Sequence, residues 1–145
     1  MDKAFEYLND KDRALLEKKG EVLEVEKDHV ILEEGERRRA LFVILEGSCR
    51  VVLSLRGKNE TVASLTRNEF FGDMNFLEGI GASANVIANE PTRILVITPE
   101  KTQGLLTADP SLAMRFYHSL AISLSRRLRA TTSKLARGAR ANLLQ

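Results

Sequence analysis

The sequence predicts a mainly β domain with helices at both ends: an antiparallel, jelly-roll-like β-roll of about eight strands, short N-terminal helices and a long C-terminal helix. Three observations carry this. Short β-rich runs, separated by turn signals every 8–12 residues or so, fill the stretch from Glu21 to Thr98. The apolar period is helical before Glu21 and again after Pro99. Finally, 145 residues, 43% hydrophobic and 29% charged, suffice to close one core and are too apolar for a disordered chain.

Residues 1–20 read as a helical segment, with Asn9 or Asp10 as cap, Ala14, Leu15 and Leu16 as the apolar face and Gly20 as the stop. The roll spans 21–98. Its expected strands are Val22 to Val25, Val30 to Leu32, Leu41 to Leu45, Val51 to Leu53, Val62 to Leu65, Ser83 to Ala88 and Arg93 to Thr98. Gly35, Gly47 and Gly57 stand at the tight reversals between them, where positive φ is needed. Pro99 suits the first turn of a helix through about Ala108, and Asp109-Pro110-Ser111 breaks it and starts the longest one. In that helix Tyr117, Ala121, Leu124, Leu128, Thr131 and Leu135 step by 4, 3, 4, 3 and 4, a heptad-like stripe. One face packed on the β body and a homodimer seam in the far half both fit such a stripe, and the seam is the expectation. Helices fill 99–135, and 136–145 read as a basic, flexible tail.

Charge is distributed unevenly along the chain. The net +2 divides into −5 over residues 1–110 and +7 over 111–145, where Arg115, Arg126, Arg127, Arg129, Lys134, Arg137 and Arg140 meet no acid. The basic end is expected to favour polyanions without sequence preference. No stretch reaches the roughly 20 apolar residues of a membrane span, and Met1 to Asp12 carry four acids and no apolar signal core. One cysteine, Cys49, builds neither a disulfide framework nor a thiolate cage, so a cytoplasmic location is expected.

Spacing tests for enzymes and metal sites fail. There is no His-x-x-x-His, no Cys-x-x-Cys and no Gly-x-Ser-x-Gly, and Cys49 lies in an apolar strand run with no basic partner in range. No catalytic residue and no metal site are expected, and His29 with Glu33 and Glu34 reads as a strand-end surface cluster. Arg37-Arg38-Arg39 reads as a solvated run, with an anion patch as the alternative. Gly79-Ile80-Gly81-Ala82-Ser83-Ala84 imitates a dinucleotide fingerprint, yet it leads into a strand where that motif needs a helix. There remains, from Asp73 on, a short helical turn and then a small-residue loop. Its successive amides could hold an anion, or its small residues could simply allow close packing.

These residues resemble the cyclic-nucleotide-binding domain shared by the catabolite activator family, protein kinase A regulatory subunits and cyclic-nucleotide-gated channels. The resemblance runs from about Glu21 to Thr132 through Glu34-Gly35-Glu36, Val43 to Gly47, Arg56-Gly57-Lys58, Glu69 to Gly72, Ser83-Ala84 and Asp109-Pro110. It implies a phosphate-binding cassette, whose family signature is Phe-Gly-Glu and, several residues on, Pro-Arg-Ser-Ala. Gly72, Ser83 and Ala84 match it. Asp73 stands for the ribose-binding glutamate, with Met74 beside it, Gly81 for the proline and Ala82 for the phosphate-binding arginine. The resemblance further implies Thr131 or Thr132 as a base contact, on a helix about one turn longer than the family's. With the arginine replaced and Asp73 expected to lack a guanidinium partner, a regulatory domain with weakened or altered binding of cyclic AMP or cyclic GMP is expected. The alternative is a ligand-free homologue serving dimerisation or a partner protein. The activator family has a helix-turn-helix module after this helix, whereas this chain stops at Gln145, so sequence-specific DNA binding is not expected of it.

Overall fold

A computed structural model describes residues 5–143. Helix α1 (Asp10–Lys19) precedes eight strands: β1 (Glu21–Val25), β2 (Val30–Leu32), β3 (Leu41–Glu46), β4 (Cys49–Leu55), β5 (Lys58–Leu65), β6 (Phe70–Phe71), β7 (Asn85–Ala88) and β8 (Thr92–Ile97). Helix α2 (Asp73–Glu78) lies between β6 and β7, and α3 (Pro99–Ala108) and α4 (Pro110–Leu143) follow β8. The strands form two antiparallel four-stranded sheets, ordered β1-β8-β3-β6 and β2-β7-β4-β5.

The central strands of the first sheet are covered on both faces. Phe42, Ile44, Phe71, Ile94 and Val96 point between the sheets, onto Ile31, Cys49, Leu65 and Val86. Their neighbours Leu41, Val43, Phe70, Leu95 and Ile97 point the other way, onto Leu16, Leu106, Leu112, Phe116 and Leu120 of the helices. Two-sided burial accounts for the unbroken apolar run Leu41 to Leu45, which has no polar alternation. Cys49 is fully buried, and loss of solvation, with Glu90 second, pushes its thiol up to about 11. It is inert for the same reason.

The β-roll, its strand number and the period switches agree with the sequence reading, and three details differ. Among the described residues the N-terminal segment holds one helix, and residues 1–4 lie outside them. The strand β6 was missed because two residues carry no period. The long helix does not give way to a flexible tail at 136: it continues to Leu143, with residues 144–145 outside the description. Its last turns are rich in alanine, leucine, lysine and arginine, all strong helix formers, so they outweigh the roughly 1 kcal/mol cost of Gly138.

Helix α1 is fixed at both ends of its first turn. The Asn9 side chain accepts from the Asp12 amide at 2.8 Å while the Asp12 carboxylate accepts from the Asn9 amide at 3.2 Å, a capping box. The same carboxylate, 2% exposed, takes Nε and Nη2 of Arg115 from α4 at 2.7 and 2.9 Å. The Arg115 hydrogen bond holds the Asp12 carboxyl below the usual carboxylate range, against the cost of its burial. Asp12→Asn is therefore expected to lower the thermal midpoint at pH 7 by on the order of 5 °C, since ~1 kcal/mol moves a domain of this size by about 3–4 °C. A group whose pKa is depressed by folding contributes fully above its unfolded value near 4 and loses that contribution as pH falls through the folded value. The gap between wild type and variant should thus close below about pH 4 in circular-dichroism melts. An equal gap at pH 3 and pH 7 would refute the ion pair's role.

Candidate functional site

The site begins at Gly72, where β6 turns into α2. Gly72 has φ +78°, and a Cβ there would sit 2.7 Å from the Ala40 carbonyl and 2.9 Å from the Phe42 ring, so only glycine lets the cassette lie this close to β3.

Two residues whose role sequence reasoning missed hold the cassette in place. Asn75, 3% exposed, donates to the Arg38 carbonyl at 2.8 Å and accepts from the Gly81 amide at 2.8 Å. Arg39 donates to the carbonyls of Asn75, Phe76 and Leu77, the tightest bond being 2.6 Å to Phe76. These carbonyls lie at the end of α2, where that of Asn75 also accepts from the Gly79 amide at 2.8 Å and a cation satisfies the acceptors left over. Arg39 is thus spent on structure. Arg38 lies over the Phe42 ring at 5.5 Å and pairs with Glu36 at 3.5 Å. All three arginines of the run are exposed, as expected of a solvated run, and Arg38 and Arg39 have partners in the fold besides.

The cassette forms one wall of a cleft of about 500 Å³, within the range of roughly 300–1,000 Å³ usual for ligand sites. Gly72, Asp73, Met74, Ala82, Ser83 and Ala84 all line it. Gly81 does not: it stands one step back, held by Asn75. The Ala82 amide donates to the Glu36 carbonyl at 2.9 Å and its carbonyl accepts from Gly35 at 2.8 Å, so the backbone at this position is pinned from both sides. The amides of Ser83 and Ala84 donate to no acceptor among the described residues. Val51, Val62 and Ala63 of β4 and β5 supply the apolar floor.

The opposite wall is α4. Leu124, Leu128 and Thr131 reach the cleft, as do Arg127 and Lys134, while Thr132 does not. Arg127 lies over the Phe70 ring at 4.3 Å, donates to the Phe70 carbonyl and pairs with Asp73 at 3.3 Å. This corrects the expectation for Asp73, whose carboxylate has a guanidinium beside it, delivered from the helix. The helical spacing, three residues after Leu124 and four before Thr131, puts Arg127 on the face of the cleft, but no local signal names Asp73 as its partner. Chemically, the cleft offers an apolar floor, a hydroxyl and two amides at the cassette, and two cations on the helix opposite.

A family model for the cyclic nucleotide-binding domain matches residues 22–109. The chain belongs to that family. This cyclic nucleotide-binding domain is 33% identical over 106 residues to the cyclic AMP receptor protein of Thermus thermophilus, covering 72% of this chain and 47% of that protein. It is 29% identical over 117 residues to cyclic GMP-binding protein C of Dictyostelium discoideum, covering 75% of this chain and 4% of that one. Among solved structures it resembles the Thermus thermophilus catabolite activator protein at TM-score 0.79 and 28% identity, over 94% of this chain and 63% of that one. A cyclic nucleotide-binding domain from Methylobacillus flagellatus superposes at TM-score 0.85 with 20% identity, over 94% and 82% of the two chains, which shows the shared fold. The domain spans less than half the length of either curated relative. Among the described residues no helix is long and apolar enough to cross a membrane.

Proposed function

We propose that this cyclic nucleotide-binding regulatory domain takes an anionic, nucleotide-type ligand in the cleft between the cassette and α4, and binds cyclic AMP and cyclic GMP weakly. One observation carries the reading: the cleft keeps Ser83 and the loop amides, yet position 82 presents a methyl group where the family signature has an arginine, and its cations come from Arg127 and Lys134 instead. The domain acts as a sensor rather than a catalyst, and Thr131 is the base contact on the helix. A cytoplasmic setting goes with the single, buried Cys49.

A thermal-shift panel of cyclic mono- and dinucleotides tests this. A ligand at 100 times its dissociation constant adds about 2.7 kcal/mol, which should raise the midpoint by about 8–11 °C. Cyclic AMP and cyclic GMP at micromolar concentration should give no such shift, and at least one anionic nucleotide should give it at millimolar concentration. A flat response across the panel would overturn the ligand reading.

A second reading rests on the far half of α4. Tyr117, Leu128 and Leu135 are 47%, 68% and 70% exposed, with Ala121 and Thr131 between them on the same face. Three large side chains aligned in solvent are the sign of a partner surface. A homodimer through Tyr117, Ala121, Leu124, Leu128 and Leu135 would cover them, and docking of a partner protein is the competing occupant.

A further inference from the structure

The far half of α4 carries a second surface that takes no part in the cleft. From Ala121 to Leu143 the helix has six cations and no acid. At 100° per residue, Arg127 and Lys134 fall toward the body, where they line the cleft. The other four fall elsewhere. Arg126, Arg129, Ser133, Arg137 and Arg140 step by 3, 4, 4 and 3, which makes one continuous ridge, about 21 Å long and about 160° around the helix from the Leu124-Leu128-Leu135 stripe. All five are exposed. Arg126 is tied to Glu6 at 2.8 Å, whereas Arg129, Arg137 and Arg140 make no ion pair among the described residues.

We propose that this arginine ridge binds the phosphate backbone of duplex DNA without regard to base sequence. Guanidinium forks match phosphate oxygens bidentately, and the serine at the ridge's centre leaves the backbone room to approach. The net −5 of residues 1–110 repels DNA from the rest of the molecule and confines contact to the ridge. Two other polyanions fit less well. An interfacial helix inserts an unbroken apolar face opposite its cations, but here two of the three leucines opposite the ridge, Leu124 and Leu128, already wall the cleft. Single-stranded nucleic acid is held by stacking on aromatic side chains, and the helix has none after His118. The ridge also remains outside when the leucine stripe is covered by a second copy, and the proposal is independent of what the cleft binds.

Fluorescence anisotropy of the full chain with two 24-bp duplexes of unrelated sequence, between 50 and 200 mM KCl, tests it. Both duplexes should bind alike. Three phosphate contacts predict a log–log salt slope of about −2.7 per bound chain, so affinity should fall about 40-fold across that range. The triple variant R129A/R137A/R140A should lose most binding at 50 mM and nearly all of the slope, with an unchanged thermal midpoint showing that the fold is intact. Four results would overturn the proposal: no duplex binding at 50 mM, a triple variant that binds like wild type, salt-resistant preference for one duplex, or capture by phosphatidylserine vesicles in place of DNA.

Discussion

Ala82→Arg is expected to tighten binding of cyclic AMP or cyclic GMP by roughly 30-fold to several thousandfold over wild type. A cyclic phosphodiester brings one full negative charge into a partly dehydrated cleft, and lacking the charged partner there typically costs about 2–5 kcal/mol. The substitution is well placed to recover this. Residue 82 lines the cleft, and its backbone is held by Glu36 on one side and Gly35 on the other, so a new side chain leaves from a fixed point. Affinity should also become more sensitive to ionic strength. Asp73→Glu should add to the gain, because the longer side chain reaches further toward a ribose while keeping its charge for Arg127. Calorimetry on wild type, the two single variants and the double variant reads the coupling directly. Tight wild-type binding left unchanged by Ala82→Arg would refute the assignment of position 82, and Arg127 would then be the residue to test.

Leu124→Ala with Leu128→Ala should convert a dimer to monomers at micromolar concentration. Each leucine buried in a seam contributes about 2–3 kcal/mol, and a two-fold axis repeats every truncation on the partner. Four truncations therefore raise the dissociation constant by about five decades or more. Since Leu124 and Leu128 also wall the cleft, Leu135→Ala provides the separate check. It stands a full heptad beyond Leu128 and is 70% exposed, so it should weaken the dimer while leaving the fold and any ligand response unchanged. Sedimentation of wild type decides the matter: a monomer at tens of micromolar would remove the seam.

Most of the roll was legible in the sequence because its strands are bounded by turn residues and its helices by caps. Asn9, Pro99 and Asp109 announce their helices through side-chain chemistry that acts within three residues, as the bond from Leu112 N–H to the Asp109 carboxylate shows. The cassette was legible as a motif, and six of its seven expected residues line the cleft. The hidden part depends on distant pairings. Nothing local in Arg39 shows that it caps a helix 37 residues downstream, or in Arg127 that it meets a carboxylate 54 residues upstream. The end of the long helix was misread for the opposite reason. A glycine and a basic run suggested fraying, while the propensity of the surrounding residues favours continuation.

The double-sided burial of β3 and β8 has a thermodynamic consequence. Phe42 and Leu41 are adjacent in the chain and belong to different cores, one between the sheets and one beneath the helices. Neither core can melt without exposing the back of the strand that the other depends on. The helical layer and the cleft layer should therefore unfold in one transition, and the amides of Phe42 and Leu95 should exchange with solvent only through global opening. Stabilisation gained at the cleft by a bound ligand is thus shared with the helix-packed side of the molecule, without any change of shape.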